Sequence, residues 1–444
     1  MTLRTVSRYD ASSSRVARRP AQRARPLGIL ASAALAAASL VVGVAPAAVA
    51  DSPESAPTLT QLPFLPGDWY SEPTGLNDDG VIVGYSTPSD GIYSANYRDR
   101  AARWNPDNSI AALPPAPGDV FSRATGVNSD GTIAGYSWPT ATADAARHGH
   151  AVRWDDGIAT ALPPLAGDPH TRPAAINEAG VIAGASWEGE GGHTEGRAVT
   201  WKADGSVVSL PPLSGDTFSV PLDINNAGIV VGYSWSGRLS ATHAVQWSPD
   251  GTPTDLGALI RKRWPDHDSS YADEINDAGA VIGNASRAYP QSNTDPHAVR
   301  WDADGTTRDL GLRASASAIN AQGDIAGSYP IGDTRRAAQL WSADGTSTAL
   351  PFPAGMENNM GDGATLNDSQ TVVGNVWSGN PSRENKLAVR WQPDGSAINL
   401  GTAPGDPYSS ASFVNAEGTI AGVSIRKPIY TYLAGSHHAV VWRR

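Results

Sequence analysis

The chain has 444 residues, of which 46 are glycine and 34 are proline, a composition that disfavours long helices and argues against coiled coils and helical bundles. It contains no cysteine, which excludes disulfides, thiol catalysis and thiolate metal ligands. Its formal net charge of −11 offers no electrostatic attraction to nucleic acid or to anionic lipid, so we expect neither as a partner.

Residues 1–50 are organised like a secretory signal peptide. The first half holds seven arginines and one acidic residue, and the apolar run that follows closes with Ala48-Val49-Ala50. Cleavage after Ala50 would leave a short linker at 51–57 and a secreted, extracellular protein, and would lower the formal charge from −11 to −17. A retained membrane anchor is the alternative, but alanine and glycine dominate the run and Pro46 interrupts it. The export route, general secretory or twin-arginine, stays open.

From residue 58 onward the chain consists of eight copies of one unit. The first marker is an Asn followed three residues later by Gly, then apolar residues and a second Gly, as in 77–84. Its asparagines, about 48 residues apart on average, are Asn77, Asn128, Asn177, Asn225, Asn276, Asn320, Asn367 and Asn415. The second marker is a segment such as His-Ala-Val-Arg-Trp at 150–154, and its tryptophans are Trp104, Trp154, Trp201, Trp247, Trp301, Trp341, Trp391 and Trp442. The region 58–444 is therefore one large repetitive domain.

Each unit predicts four short strands. The first ends at the Asn, the second is the following Val/Ile run, the third ends at the Trp, and the fourth precedes Leu-Pro or Leu-Gly. In the Asn-x-x-Gly turn we expect the Asn side chain to bond the backbone two residues on and the Gly to adopt a positive φ. The seventh unit has Gln370 in place of this Gly, so its turn should be looser.

Four-stranded units of this length predict an all-β protein, an eight-bladed β-propeller. A β-solenoid or two separate four-bladed rings are the alternatives. A segment of the strand-four type, Thr58–Pro63, precedes the first marker, and the chain ends on strand three at His438–Trp442. The N-terminal strand would thus complete the last blade, close the ring and hide both sheet edges, and we expect a monomer.

The motifs resemble the HAF repeat of bacterial extracellular proteins. The resemblance rests on Asn-x-x-Gly-x-Val-Val-Gly-Tyr-Ser, His-Ala-Val-x-Trp, Asp-Gly-Thr and Leu-Pro or Leu-Gly, and it covers residues 58–442. The repeat is named for a His-Ala-Phe segment, and the third position of that segment is Val in this chain. The resemblance implies a propeller-like fold and an extracellular location. Because the family has no uniform activity, it implies no catalytic residues.

Candidate ligand-binding residues belong to one face of the predicted ring. Both tight turns of a blade lie on one face, and the longer, variable connections between strands two and three and between blades lie on the other, where binding usually sits. Aromatic rings there could stack on sugars, and residues that break the repeat at the start of strand one could surround an axial funnel. The candidates are Trp138, Trp187, Trp235 and Trp377 after strand two, Tyr93, Tyr97 and Tyr289 in loops, and Glu72, Arg123, Arg172, Tyr271 and Asp362 at the funnel.

Several repeated residues have a structural interpretation. The four tryptophans after strand two could instead wedge between adjacent blades, and the eight strand-three tryptophans are expected in the core. Six of the eight units have a hydroxyl residue six positions before the marker Asn, and we expect it to bond backbone groups where the strand begins. These hydroxyl residues are Ser71, Ser122, Thr171, Ser219, Ser270 and Ser409.

The sequence offers little for catalysis. Glycoside hydrolysis requires two carboxylates about 5–10 Å apart, and no pair can be selected from the loop acids. The histidines lack zinc-ligand spacing, and no phosphate-binding loop or nucleophile elbow is present. We expect no metal site and no cofactor, with Ca²⁺ on acidic loops as the one possibility left open.

Two functions remain from different classes. The first is a secreted, non-catalytic recognition module that binds a glycan or an extracellular protein through the loop-rich face. The alternative is an extracellular polysaccharide hydrolase or lyase with acidic residues at the mouth of the axial funnel. Whether the chain is an enzyme stays open, because propellers serve both purposes. A buried acid pair near the axis, unique to one blade, would discriminate between them.

Overall fold

The computed structural model describes residues 57–88, 97–189, 192–237, 240–287, 296–332, 334–356, 359–378, 386–426 and 436–444. All of them belong to one compact unit. They form eight four-stranded antiparallel sheets, and the first strand of each sheet contacts the first strands of both neighbours. The predicted eight-bladed β-propeller is therefore confirmed, with strand one of each blade nearest the axis.

The N-terminal strand β1 (Thr58–Gln61) precedes the first blade. The next sixteen strands form blades 1 to 4 in chain order, four to a blade. They are β2 (Tyr70–Leu76), β3 (Ile82–Thr87), β4 (Arg100–Trp104), β5 (Ile110–Ala112); β6 (Phe121–Val127), β7 (Ile133–Trp138), β8 (His150–Asp155), β9 (Ile158–Ala161); β10 (His170–Ile176), β11 (Ile182–Trp187), β12 (Arg197–Trp201), β13 (Val207–Leu210); β14 (Phe218–Ile224), β15 (Val230–Trp235), β16 (Thr242–Trp247) and β17 (Pro253–Asp255).

Blades 5 to 7 follow the same order, and blade 8 supplies only three strands of its own. Their strands are β18 (Ser269–Ile275), β19 (Val281–Ser286), β20 (His297–Trp301), β21 (Thr307–Leu312); β22 (Ser315–Ile319), β23 (Ile325–Ile331), β24 (Arg335–Trp341), β25 (Ser347–Ala349); β26 (Met360–Leu366), β27 (Val372–Trp377), β28 (Lys386–Trp391), β29 (Ala397–Asn399); β30 (Tyr408–Val414), β31 (Ile420–Arg426) and β32 (Ser436–Arg443). Strand β1 pairs antiparallel with β32, so the predicted closure by the N-terminal strand is confirmed.

Helices are short and lie in the connections. They are α1 (Ala143–Arg147), a single 3₁₀ turn at Gly192–Glu195, and α2 (Gly257–Arg263). Within the ranges given above, no helix has the length and apolar character needed to cross a membrane.

The core is divided among the interfaces between blades. All eight strand-three tryptophans are buried, as expected. The indole Nε1 of Trp104 donates to the carbonyl of Pro63 at 2.8 Å, and that of Trp154 donates to Pro114 at 2.6 Å. Because each acceptor follows the outer strand of the preceding blade, the Leu-Pro motif and the tryptophan together join neighbouring sheets.

A closed ring of asparagines lies at the tight-turn face. The Nδ2 of each marker Asn donates to the main-chain carbonyl of the marker Asn in the next blade, at 2.9–3.4 Å, and Asn415 donates to Asn77. The Oδ1 of each accepts the amide four residues on, at 2.7–3.0 Å. The prediction that the marker Asn side chain bonds the backbone two residues on is therefore wrong. An Asn side chain that reaches four residues on spans the whole turn.

The seventh turn is as tight as the others, contrary to expectation. Gln370 adopts a left-handed conformation with φ 58°, and its amide donates to the carbonyl of Asn367 at 3.1 Å. The Oδ1 of Asn367 still accepts the amide of Thr371. The Gln370 side chain also donates to Asp324 of the preceding blade at 2.9 Å, a contact that holds it in this conformation.

The hydroxyls at the start of strand one join blades, which confirms their structural interpretation. Each accepts the amide of an alanine in strand three of the preceding blade, at 2.7–3.2 Å. A second set, not anticipated, is the Ser near the end of strand two, which belongs to the Tyr-Ser motif or stands at the equivalent position. In five blades it accepts an amide from the connection that leads into the same blade.

Candidate ligand-binding pocket

The loop-rich face carries a cavity of about 190 Å³ beside blade 2. Its lining comes from the second half of the β3–β4 connection, from blade 2 with α1, and from the first strand of blade 3. The lining residues are Tyr97, Asp99, Arg123, Tyr136, Trp138, Ala143, Ala146, Arg147 and Arg172. The structure thus brings together four of the candidates selected from the sequence, namely Tyr97, Arg123, Trp138 and Arg172.

The strands fix the depth of these side chains. Arg123 of β6 pairs with Tyr136 of β7, two positions before Trp138. Arg172 occupies the same position in β10 as Arg123 does in β6, five residues before the marker Asn. The propeller therefore places the two arginines at one height on adjacent blades, with the ring of Tyr136 between them.

Arg123 is held on both sides. Its Nε donates to Oδ2 of the buried Asp99 at 2.6 Å, and its Cζ lies 4.1 Å from the ring centroid of Tyr85 in blade 1. Asp99 immediately precedes β4, so the ion pair crosses from blade 1 to blade 2. This pairing neutralises the acidic residue of the pocket.

Arg172 stacks in the same way on the preceding blade. Its Cζ lies 4.1 Å from the ring centroid of Tyr136, and among the described residues it forms no ion pair. His193 lies nearby, and burial followed by the positive charge of Arg172 lowers the pKa of this imidazole to about 4. His193 is therefore neutral near pH 7, and Arg172 carries the local charge.

Three of the four tryptophans after strand two are buried. Trp138 has no exposed surface, stacks on Tyr136 with centroids 5.4 Å apart, and donates its Nε1 to the carbonyl of Tyr97 at 3.1 Å. Trp187 and Trp377 are also buried, and Trp235 is half-buried with its Nε1 on the carbonyl of Thr194. Buried ring faces are closed to a sugar, so this burial supports the wedging alternative. Trp138 contributes a wall to the pocket instead of a stacking platform.

Glu72 lies in blade 1, and its carboxylate is hydrogen-bonded to tyrosines of the same blade. Its Oε2 accepts the hydroxyls of Tyr70 and Tyr85, each at 2.9 Å. The hydroxyl of Tyr70 also contacts Nδ1 of His437 at 2.9 Å. Burial, followed by the charge of Glu72, raises the pKa of both tyrosines well above the usual value, so both remain protonated.

The remaining funnel candidates lie on other blades. Tyr271 in blade 5 contacts Tyr233 edge to face, with centroids 4.9 Å apart. Asp362 in blade 7 accepts from Asn375 at 3.3 Å and lies 3.7 Å from Nζ of Lys386. Blade 8 stands between Asp362 and Glu72, so the structure does not pair these two acids. The candidates Tyr93 and Tyr289 lie outside the described residues.

Sequence reasoning missed three lining residues with functional groups. Tyr136 belongs to the repeated Tyr-Ser motif, so the sequence suggests a structural role for it. Its position opposite Arg123 in the predicted hairpin could have marked it as a lining residue. Asp99 and Arg147 lie in irregular connections, where the repeat gives no position.

Metal-binding groups do not converge in the part of the chain that the structure describes. No cluster of three or more His, Asp or Glu side chains is close enough there to hold an ion. The repeat histidines instead contact aspartates through Nδ1, at 2.8–3.2 Å, in the pairs His150–Asp119, His243–Asp216, His297–Asp309 and His438–Asp406.

Comparison with known proteins gave matches to solved structures alone. No family model and no curated protein matches the chain. Virginiamycin B lyase from Staphylococcus aureus is 14% identical with a TM-score of 0.40, covering 71% of this chain and 94% of that one. Puromycin hydrolase is 19% identical with a TM-score of 0.47, covering 82% and 60%. The β-propeller domain of the Trilobed protease from Pyrococcus furiosus is 12% identical with a TM-score of 0.44, covering 76% and 100%. At these identities and TM-scores the matches assign no activity and no ligand to this chain.

Proposed function

We propose that this protein is a secreted recognition module of the HAF-repeat type that binds a glycan on the loop-rich face of its propeller without altering it. The observation that carries the proposal is the convergence of side chains from three successive blades on one pocket. Arg123 and Arg172, which depart from the repeat, meet there. The repeated asparagines, hydroxyls and strand-three tryptophans are occupied in joining the blades.

The size and shape of the pocket favour a glycan over a protein ligand. Pockets that enclose drug-sized molecules measure about 300–1,000 Å³, and this one measures about 190 Å³. A small cavity with hydroxyl and guanidinium groups suits one unit of a saccharide chain.

The described acids give no support to the alternative of a hydrolase or lyase. Hydrolysis requires two carboxylates that flank the bond, about 5–10 Å apart. Asp99, the one acid that lines the pocket, is ion-paired with Arg123, and Glu72 accepts two tyrosine hydroxyls. We therefore favour binding without conversion.

The test is a glycan array and polysaccharide pull-down with the purified protein, followed by chromatography of the same samples for released sugars. We expect binding and no released product. Tyr97→Ala should weaken binding about fivefold, because a ring contact contributes on the order of 1 kcal/mol. It keeps the main-chain carbonyl that Trp138 uses. The control is Tyr329→Ala, which removes a ring that is 40% exposed on blade 6, away from the pocket.

Three results would contradict the proposal. Released sugars would favour the hydrolase or lyase. Capture of a protein with no glycan bound would show that the ligand is a protein and not a glycan. Equal effects of Tyr97→Ala and Tyr329→Ala would remove the pocket from the binding site. The mass of the exported protein tests secretion separately, since cleavage after Ala50 defines its new N-terminus.

A further inference from the structure

We infer that the pocket beside blade 2 binds the negatively charged group of an acidic sugar, a carboxylate or a sulfate, through Arg172 and Arg147. This inference rests on the proposed glycan binding and adds the chemical class of the ligand. It follows from the charge of the lining, the stacking of Arg172 and the exposure of Arg147.

The charge of the pocket is opposite to that of the chain. Three arginines and a single acid line it, and that acid, Asp99, is already paired with Nε of Arg123. The chain as a whole has a formal net charge of −11. A negatively charged glycan is repelled by most of such a surface, so a basic pocket provides a localised site for its charged group.

The stacking of Arg172 prepares it to bind an anion. A guanidinium that lies over an aromatic ring uses its face and leaves the N–H groups at its edge free to form two parallel bonds to a carboxylate or a sulfate. Its Cζ lies 4.1 Å from the ring centroid of Tyr136, and no carboxylate within the described ranges pairs with it. The contact also limits the conformations of the side chain, so little entropy is lost on binding.

Arg147 adds a second charge from a different element. It is the last residue of α1 and lines the same cavity, and it is exposed to solvent. Within the residues that the structure describes it forms no ion pair. Because its position depends on α1 and not on a strand, its removal leaves the propeller framework intact.

The experiment measures binding of oligogalacturonate and of its methyl ester, which has the same backbone without the charge. Dextran sulfate and dextran form the second matched pair. The proteins are wild type, Arg172→Gln, Arg172→Lys, Arg147→Gln and the control Arg98→Gln. Arg98 is exposed in the same connection as Tyr97 but does not line the pocket, so it reports the general effect of one lost charge.

We expect the charged member of at least one pair to bind at least tenfold more tightly than its neutral partner. Arg172→Gln should weaken that binding about 10–100-fold, since it removes a charge-assisted pair of bonds. Arg172→Lys should recover part of the loss, and Arg147→Gln should weaken binding about three- to tenfold. Arg98→Gln should stay within twofold of wild type. Preference for the galacturonate pair or the dextran pair identifies the anionic group as carboxylate or sulfate.

Equal binding of charged and neutral partners, or equal effects of Arg172→Gln and Arg98→Gln, would overturn the inference while leaving glycan binding in place. Binding of no glycan at all would overturn both the inference and the proposed function. If Arg172→Gln fails to fold, the comparison of Arg147→Gln with Arg98→Gln decides the question, because both of these side chains are exposed.

Discussion

The asparagine ring makes a quantitative prediction about stability. Asn177 is buried, donates to the carbonyl of Asn225 at 2.9 Å and accepts the amide of Val181 at 2.8 Å. Asn177→Ala removes both bonds. The carbonyl of Asn225 keeps a second donor, the amide of Gly228, but the amide of Val181 loses the acceptor that it has in the folded protein.

The expected cost follows from these two losses. The amide of Val181 is partly buried, so the loss of its acceptor should cost about 1–2 kcal/mol, toward the lower end of the range for a buried amide. Loss of a bond whose acceptor stays partly satisfied costs about 0.5–1.5 kcal/mol, and the two losses together give about 1.5–3.5 kcal/mol. The entropy of unfolding near 60 °C is about 2.1 cal/mol/K per residue, so for roughly 390 folded residues the melting temperature should fall by about 2–4 °C.

The assay is thermal unfolding by calorimetry and circular dichroism, with Asn399→Ala as the matched control. Asn399 is exposed and accepts only the local amide of Gly401, so we expect its replacement to cost less than about 0.5 kcal/mol. Equal shifts for the two alanine variants would refute the reasoning, since the ring bonds would then contribute nothing beyond a local turn contact.

A second variant separates the donor from the acceptor. Asn177→Asp keeps an acceptor for Val181 but places a carboxylate oxygen against the carbonyl of Asn225. Burial and this repulsion should raise the folded-state pKa of the introduced carboxyl above about 3.9. The lost stability should therefore return as the pH falls, because the protonated form donates again. A deficit relative to wild type that does not shrink toward pH 4 would contradict a donor role.

Three further predictions concern other parts of the ring. Burial raises the pKa of Asp223 to about 6, so the stability contributed by its protonated form is full below pH 4 and is lost as the pH rises through 6. This loss amounts to about 3 kcal/mol, and Asp223→Asn should remove it when denaturation is compared across pH. Gly84→Ala would place a Cβ against the carbonyl of Glu72 and should cost more than about 3 kcal/mol by denaturant unfolding, whereas Gly189→Ala, in open space, should cost under about 1 kcal/mol. Deletion of β1 should expose the edge of β32, lower the melting temperature and cause association visible by light scattering.

Repetition explains why so much of the fold could be predicted from the sequence. An Asn-x-x-Gly turn and a terminal Trp, each present once in every unit, define strand ends without any knowledge of tertiary contacts. The bond from Asn77 to Asn128 could not be predicted in the same way. Its acceptor lies 51 residues on, and only closure of the ring brings the two together. Local patterns gave the turn but not the contact between blades.

The candidate site was less predictable because exposure depends on neighbouring loops. Arg123 and Arg172 were identifiable because they depart from the repeat at one position. Trp138 was identifiable as an aromatic residue on the correct face, but its burial results from the packing of Phe121 and the Tyr97 main chain against it. Tyr136 was overlooked because a repeated residue can also line a site.

The arrangement of arginine over tyrosine occurs at adjacent blade interfaces. Arg123 of blade 2 lies over Tyr85 of blade 1, and Arg172 of blade 3 lies over Tyr136 of blade 2. Glu72 accepts the hydroxyl of Tyr85 and so anchors the first ring. Each tyrosine therefore supports the arginine of the next blade, and the series places positive charge on one arc of the ring.

The series of arginines stacked on tyrosines ends at blade 3, and this limits the number of ligands that one chain can bind. Ala185 pairs with Arg172 at the position where Tyr136 pairs with Arg123, so blade 3 offers no ring to the next blade. Blade 4 has Val220 at the arginine position. Although the scaffold repeats eight times, the pocket should therefore occur once, and titration calorimetry with an acidic monosaccharide should give one site per chain. Two or more equivalent sites would show that binding follows the repeated residues, not those that depart from the repeat.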